Sequence, residues 1–289
     1  GVDPDTYLEF GLNPIIRALE DRFEVLELKN VLASVAELAK LAKEANFAIN
    51  YIIPVAVVPA IKALGSRFEI SQVPSIGEVL IKLVKQEEIE KLNANIYHSL
   101  HYGIAPLIEV LGNDFEISKL TQIAYQTFRV TGQARILGSS DSRFLSSGFV
   151  PVAQALAKFN CLDLETLKIA AGYFIDSAKI ATAVHGKQRA RQSSLSAKFN
   201  YDQLPGIFAS ALTQTINHLG EVNELNTENL KKVVAIIEKA VASNEDVSQI
   251  VKYMLIPLLK AFSRESEISK ALDFADRVVG EYSSSESIS

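Results

Sequence analysis

The chain of 289 residues has no tryptophan, one methionine and one cysteine. A single cysteine, Cys161, leaves no partner for an internal disulfide, so a disulfide-stapled fold is excluded. No Asn-x-Ser/Thr sequon occurs, so N-glycosylation is not expected. Catalytic signatures are missing too: there is no Gly-x-Gly-x-x-Gly, phosphate loop, Gly-x-Ser-x-Gly, His-Glu-x-x-His or Cys-x-x-Cys. Positive charge is not in excess. The net charge of −5 argues against an electrostatic nucleic-acid binder, which needs a basic face. The most apolar stretch, 47–61, carries Asn50, Pro54 and Pro59 and falls short of the ~20 residues a helical span needs, so no membrane span is expected. No charged segment followed by an apolar one opens the chain, and a mature secreted chain is favoured over a cytoplasmic one.

What is present is core material. Apolar residues make up 48% and charged residues 22%, enough to bury a real core and to exclude wholesale disorder. The apolar residues fall into a repeat. Counting from Pro106 as zero, Ile108 stands at +2, Leu111 at +5, Gly112 at +6, Phe115 at +9, Glu116 at +10, Ile117 at +11, Ser118 at +12 and Leu120 at +14. Pro59 begins the same phrase with Ile61, Leu64, Gly65, Phe68, Glu69, Ile70 and Ser71. Pro14 begins it with Ile16, Leu19, Glu20, Phe23, Glu24, Val25 and Leu26, and Pro257 with Leu259, Phe262, Glu267, Ile268 and Ser269. Pro151 and Pro205 begin looser copies. The steps between successive prolines are 45, 47, 45, 54 and 52 residues. That period fits a two-helix unit.

Three- and four-residue apolar spacing supports helices throughout, clearest from Leu28 to Ala42, and no stretch alternates with period two. Each repeat proline lies inside a helical pattern, where it removes a backbone bond and crowds the previous turn, so a kink or a restart is expected there. Gly65 and Gly112 read as left-handed helix stops. Ser75 with Glu78, Ser118, Asp163, Thr227 and Asn244 read as helix starts. The expected architecture is all-α, with about six two-helix repeats of roughly 45–54 residues, in a solenoid or a compact helical bundle. Residues 1–12 read as an N-terminal arm, 13–282 as a single helical repeat domain, and 283–289 as a disordered serine-rich tail.

Few residues stand out as chemistry. His98 and His101, three apart and flanked by Tyr97 and Tyr102, could face one metal, although no third ligand is near in sequence. The stretch from His185 to Lys198 departs from the repeat. It interleaves Lys187, Arg189 and Arg191 with Ser193 and Ser194 and reads as an exposed loop open to an anion, a protease or phosphorylation. Glu24, Glu69, Glu116 and Glu267 recur once per repeat. Each stands just before a helix start, where a carboxylate complements the helix dipole, so they read as structural rather than acid–base groups.

In length and two-helix logic the repeat resembles HEAT and armadillo arrays. A second resemblance is local: Ile136-Leu-Gly-Ser-Ser-Asp-Ser-Arg-Phe-Leu145 looks like a segment of silk fibroin light chains. Those chains are secreted, helical and disulfide-linked through one cysteine to a heavy chain. The resemblance covers ten residues, and this chain lacks the further cysteines of that family's internal bridge. It implies an extruded fibre or matrix setting in which Cys161 makes the covalent link.

The functional expectation is a non-enzymatic structural or interaction protein that presents its helical-repeat surface to a protein partner or to copies of itself. No cofactor or resident metal is expected. The alternative is a carrier holding an apolar small molecule or lipid between kinked helices. An enzyme whose site leaves no local motif comes third.

Overall fold

The computed structural model describes residues 8–20, 23–44, 49–86, 91, 94–191, 203–243, 245–263 and 267–285. The chain is all-α, with no strand among these residues. Among these residues, twelve helices follow one another in six pairs. They are α1 (8–19), α2 (Leu28–Glu44), α3 (49–64), α4 (Val73–Val84), α5 (96–111), α6 (Leu120–Ile136), α7 (141–158), α8 (Leu164–Arg191), α9 (Leu204–Glu221), α10 (Thr227–Ala242), α11 (247–263) and α12 (Ile268–Ser285). Every odd-numbered helix carries a repeat proline. The expected arm is helical from Leu8 onward, and α12 runs through Ser285, into the expected tail.

The chain divides into two compact units, residues 1–132 and 133–289. In the first, α1 packs on α3, α3 on α5, and α2 on α4. In the second, α7 packs on α9, α9 on α11, α8 on α10, and α10 on α12. Within each unit, then, proline helices neighbour proline helices and their partners neighbour partners. That is the nearest-neighbour stacking of a helical repeat.

The prolines neither break the helices nor leave a simple kink. In five of the six proline helices a π-helical turn comes just before the proline: Leu8–Leu12, Ile53–Val57, Leu100–Ile104, Phe144–Phe149 and Val251–Leu255. In the last four of these the residue before the proline donates its N–H five residues back: Val58 to Ile53, Ala105 to Leu100, Val150 to Leu145 and Ile256 to Val251. The wider turn moves the backbone pairing by one residue just ahead of the residue that has no N–H to give, and it makes room for the pyrrolidine ring. In the remaining copy, Pro205 lies in the first turn of α9, where a missing N–H costs nothing.

After the proline, the first three repeats share one backbone joint. The N–H at +6 donates to the carbonyl at +2, the N–H at +9 to +6, and the N–H at +13 to +10. Residue +6 has φ/ψ of 51/−129° at Glu20, 53/−128° at Gly65 and 48/−120° at Gly112. The expected left-handed stop is corrected here. φ is positive, but ψ is that of the first central residue of a type II′ turn, a region glycine alone enters without strain. Phe68 and Phe115 then plug into the core. Glu24, Glu69 and Glu116 are extended residues that start a 3-10 turn leading into the next helix. The side chain of Glu69 accepts from the N–H of Gln72, and the amide of Gln72 accepts from the Glu69 N–H at 3.0 Å, so the capping box sits here and not at Ser75. Ser75 lies inside α4, and Glu78 pairs there with Lys82 at 2.6 Å.

Joints four and five are built differently. Asn160 and Asn223 take φ of 55° and 57°, while Cys161 and Glu224 donate five residues back to Leu156 and Leu219. These are Schellman stops with asparagine as the positive-φ residue, and they explain why the phrase fades after Pro151. The caps that follow are Asp163, which accepts from the Thr166 N–H at 2.8 Å, and Asn226, which accepts from Asn229 at 2.9 Å. Asn226 replaces the expected Thr227. Asp246 caps α11, and Asn244 lies outside the described residues.

Glu20 therefore occupies a glycine conformation. Glu20→Gly is expected to raise the unfolding free energy by about 1 kcal/mol, read as a higher urea midpoint at unchanged slope. Gly112→Ala, where an added Cβ meets nothing within 4 Å, should lower stability through backbone strain alone.

Candidate functional site

The imidazoles of α5 belong to an aromatic cluster. His101 stacks on Tyr97 with ring centroids 5.7 Å apart and planes at 4°, and it meets Tyr102 edge-on at 4.7 Å. His98 meets Tyr102 edge-on at 5.6 Å, and Tyr97 meets Tyr51 of α3 at 5.2 Å. No group of three metal-ligating side chains occurs among the described residues, so His98 and His101 gain no third ligand there. Their environment is stacking.

The basic stretch is not the loop its composition suggests over its first half. Helix α8 continues through Arg191, so Lys187, Arg189 and Arg191 are helical positions. Ser193 and Ser194 lie outside the described residues.

Cys161 is half-buried beside the joint after α7. Its Sγ lies 3.3 Å from the carbonyl of Phe159 and 3.5 Å from that of Leu225. Burial, and then the charge of Asp163, push its pKa up. Little thiolate forms near neutral pH in such a setting, which disfavours spontaneous disulfide exchange.

The recurring glutamates serve the joints. Ser118 donates to Glu116 at 3.2 Å, Ser71 to Glu69 at 3.4 Å, and Lys270 pairs with Glu267. They do not converge.

One carboxylate that spacing did not single out is perturbed. Glu238 on α10 faces α8, and desolvation, then the charge of Asp176, raise its pKa to about 7. Tyr173 lies near it on α8, Asp176 is paired with Lys179 at 3.1 Å, and Lys231 pairs with Glu165 across α10 and α8 at 3.3 Å, while the neighbouring Lys239 turns to Asp276 of α12 at 2.5 Å. Tyr173 is fully buried and donates to the Phe208 carbonyl at 3.0 Å. The folded chain thus holds a proton on Glu238 that the unfolded chain releases near pH 4.5. This contribution to stability is fully present below that pH and is lost as pH rises through about 7. Because the group is half-exposed, the loss is on the order of 1 kcal/mol after solvent screening. Glu238→Gln is expected to flatten stability between pH 5 and pH 8, measured by denaturant titration at each pH.

A groove of about 560 Å³ lies between the first and second joints, lined by Leu19, Asn30, Ser34, Phe68, Glu69 and Ile70 among others. It is open and mixed in polarity, unlike the closed apolar chamber a carrier needs. Close by in the chain, Val25 and Leu26 are 80% and 88% exposed. With Leu8, Phe10 and Leu32 they concentrate exposed apolar side chains in the first repeat. The signal was present in the sequence: the first copy places Leu26 where Ser71, Ser118 and Ser269 stand in the others.

Among the described residues, the helix Ile49–Arg67 is long and apolar enough to cross a membrane by length and composition, and 61% of that window is buried inside the protein, as in a core helix. Compared with models of protein families, with curated proteins and with solved structures, the chain matches none.

Proposed function

We propose that this chain is a non-enzymatic structural or interaction protein whose helical-repeat surface serves protein–protein assembly. The observation that carries the reading is the apolar first repeat. Leu8, Phe10, Val25, Leu26 and Leu32 are each exposed there. Large apolar side chains left exposed within one repeat favour a contact site. The ten-residue resemblance at Ile136–Leu145 adds a secreted fibre or matrix setting to the proposal.

Native mass spectrometry of the protein from its source, before and after reduction, tests the reading. The expected result is a mass above the 31.6 kDa of one chain that survives reduction, because the contact is apolar. A chain found alone, or carrying only a small apolar molecule, would overturn it.

A further inference from the structure

Resting on that reading, we propose that the groove between the first and second joints docks an extended segment of the protein partner, with an arginine or lysine of that segment seated in it. At offsets +19 and +20, α2 carries the small residues Ala33 and Ser34, where the second repeat has Glu78 and Val79 and the third Tyr125 and Gln126. The short side chains leave the opening of about 560 Å³ between α2 and the second joint. Ser34 is 9% exposed and lines that opening. Elsewhere in the core, Thr127, Thr131 and Thr215 return their hydroxyls to the carbonyl four residues back, at 2.8, 2.8 and 3.0 Å. The Ser34 hydroxyl has no hydrogen-bond partner among the described residues. A polar group buried in a wall is costly unless something bonds it, so the occupant of the groove has to bring a hydrogen-bonding group.

The sign of the occupant follows from charge. Glu27 and Glu69 line the same opening, and no cationic side chain lines it among the described residues. The half-buried Glu27 carboxylate makes no ion pair or hydrogen bond among those residues. Glu69 accepts from its own joint, from the Gln72 N–H and from the Ser71 hydroxyl at 3.4 Å. Arg67, between Ser66 and Phe68 of the groove wall, turns to the next joint and donates to the Asn113 carbonyl at 2.6 Å. Two carboxylates beside the apolar Leu19, Phe68 and Ile70 fit the head and stem of a long basic side chain. The cation pairs with the carboxylates and donates to Ser34, and the methylenes lie on the apolar wall. A neutral apolar ligand would strip water from both carboxylates without replacing it, and an anion would be repelled. A chain segment fits better than a free cation for two reasons. An opening of this size takes more than one side chain. The turn Val25–Glu27 that supplies Glu27 also carries Val25 and Leu26, 80% and 88% exposed, so apolar residues beside the bound cation have a surface to cover.

The test is fluorescence anisotropy of the full chain with labelled octapeptide pools, random except at one central position fixed as arginine, lysine, leucine or glutamate. The variants are Glu27→Gln, Ser34→Val and, as a control on the exposed side of α2, Glu37→Gln, with circular dichroism to verify that each folds. The arginine and lysine pools are expected to bind and the leucine and glutamate pools are not. Glu27→Gln should weaken binding by about tenfold, the loss of one charge-assisted contact. Ser34→Val, which puts in the groove the side chain that the second repeat has at the same offset, should weaken it too, and Glu37→Gln should leave it unchanged. Pools that show no preference for a basic residue, or a preference untouched by both groove variants, would overturn the proposal. Acetyl-arginine amide that binds as tightly as the arginine pool would overturn it as well, in favour of a site for a small cation. These results bear on the groove alone: a complex in the native mass spectrum still upholds the assembly reading if the pools fail, and a chain found alone there overturns that reading whatever the pools show.

Discussion

Phe115→Ala is expected to lower the unfolding free energy by about 3–5 kcal/mol. Phe115 is fully buried at the third joint and is held by its own backbone, since its N–H donates to the Gly112 carbonyl at 3.1 Å. The ring is anchored between a type II′-like residue and an extended one, so the backbone cannot settle into the vacated space, and the cavity stays open. A domain's whole stability is of the order of 5–15 kcal/mol, so this one truncation removes a large part of it. Ser118→Ala, three residues on, is the internal comparison. Ser118 is exposed and its hydroxyl bonds Glu116 at 3.2 Å at the surface, so its loss should be close to neutral. Urea titrations of the two variants side by side read the contrast. Similar midpoints for both would mean that the phenylalanine of the repeated phrase does not organise the joint.

Gly77→Ala is expected to destabilise by about 1–2 kcal/mol, against the direction that helix propensity dictates. Alanine is favoured over glycine inside a helix by about 1 kcal/mol, and α4 is otherwise regular. The added Cβ, however, would stand 2.0 Å from Cδ1 and 3.4 Å from Cγ of Leu38, with Ile52 at 3.7 Å behind. Leu38 is fully buried, so its methyl can shift only by displacing packed neighbours. Overpacking of this kind costs about 1–3 kcal/mol and exceeds the propensity gain. Gly172→Ala in α8 and Gly280→Ala in α12 meet nothing within 4 Å and should show the gain unopposed. Adding Leu38→Ala to Gly77→Ala should cost less than the two single effects combined, because the second truncation relieves the clash of the first. Additivity would show that Leu38 and Gly77 do not touch.

The all-α class, the six helix pairs and the proline period were legible because each rests on spacing along the chain. So was the role of the recurring glutamates, since helix-start positions follow from the same spacing. What happens at the prolines was not. Sequence says that Pro59 or Pro106 cannot donate, but a kink, a break and a π turn all satisfy that condition. Spacing along the chain does not choose among them. Helix starts were misplaced at Ser75, Ser118 and Thr227 for a related reason: a short 3-10 turn or a preceding asparagine takes the capping role before the first obvious candidate is reached. The basic stretch read as a loop because its charge conceals a helix that continues to Arg191. The exposed first repeat was present in the residues. Val25, Leu26 and Leu32 are ordinary apolar residues in a helical pattern, and only their burial against neighbours, or the lack of it, separates a core position from an unfinished face.

In the assembled protein the exposed apolar side chains of the first repeat are expected to be covered. Hydroxyl-radical footprinting measures this side chain by side chain. Protein kept in its native assembly and the same chain diluted to monomer are oxidised in parallel, and Val25, Leu26 and Leu32 are followed by mass spectrometry. Strong labelling of all three in the dilute chain, with all three protected in the assembly, is the result predicted. Equal labelling in both states would contradict the claim.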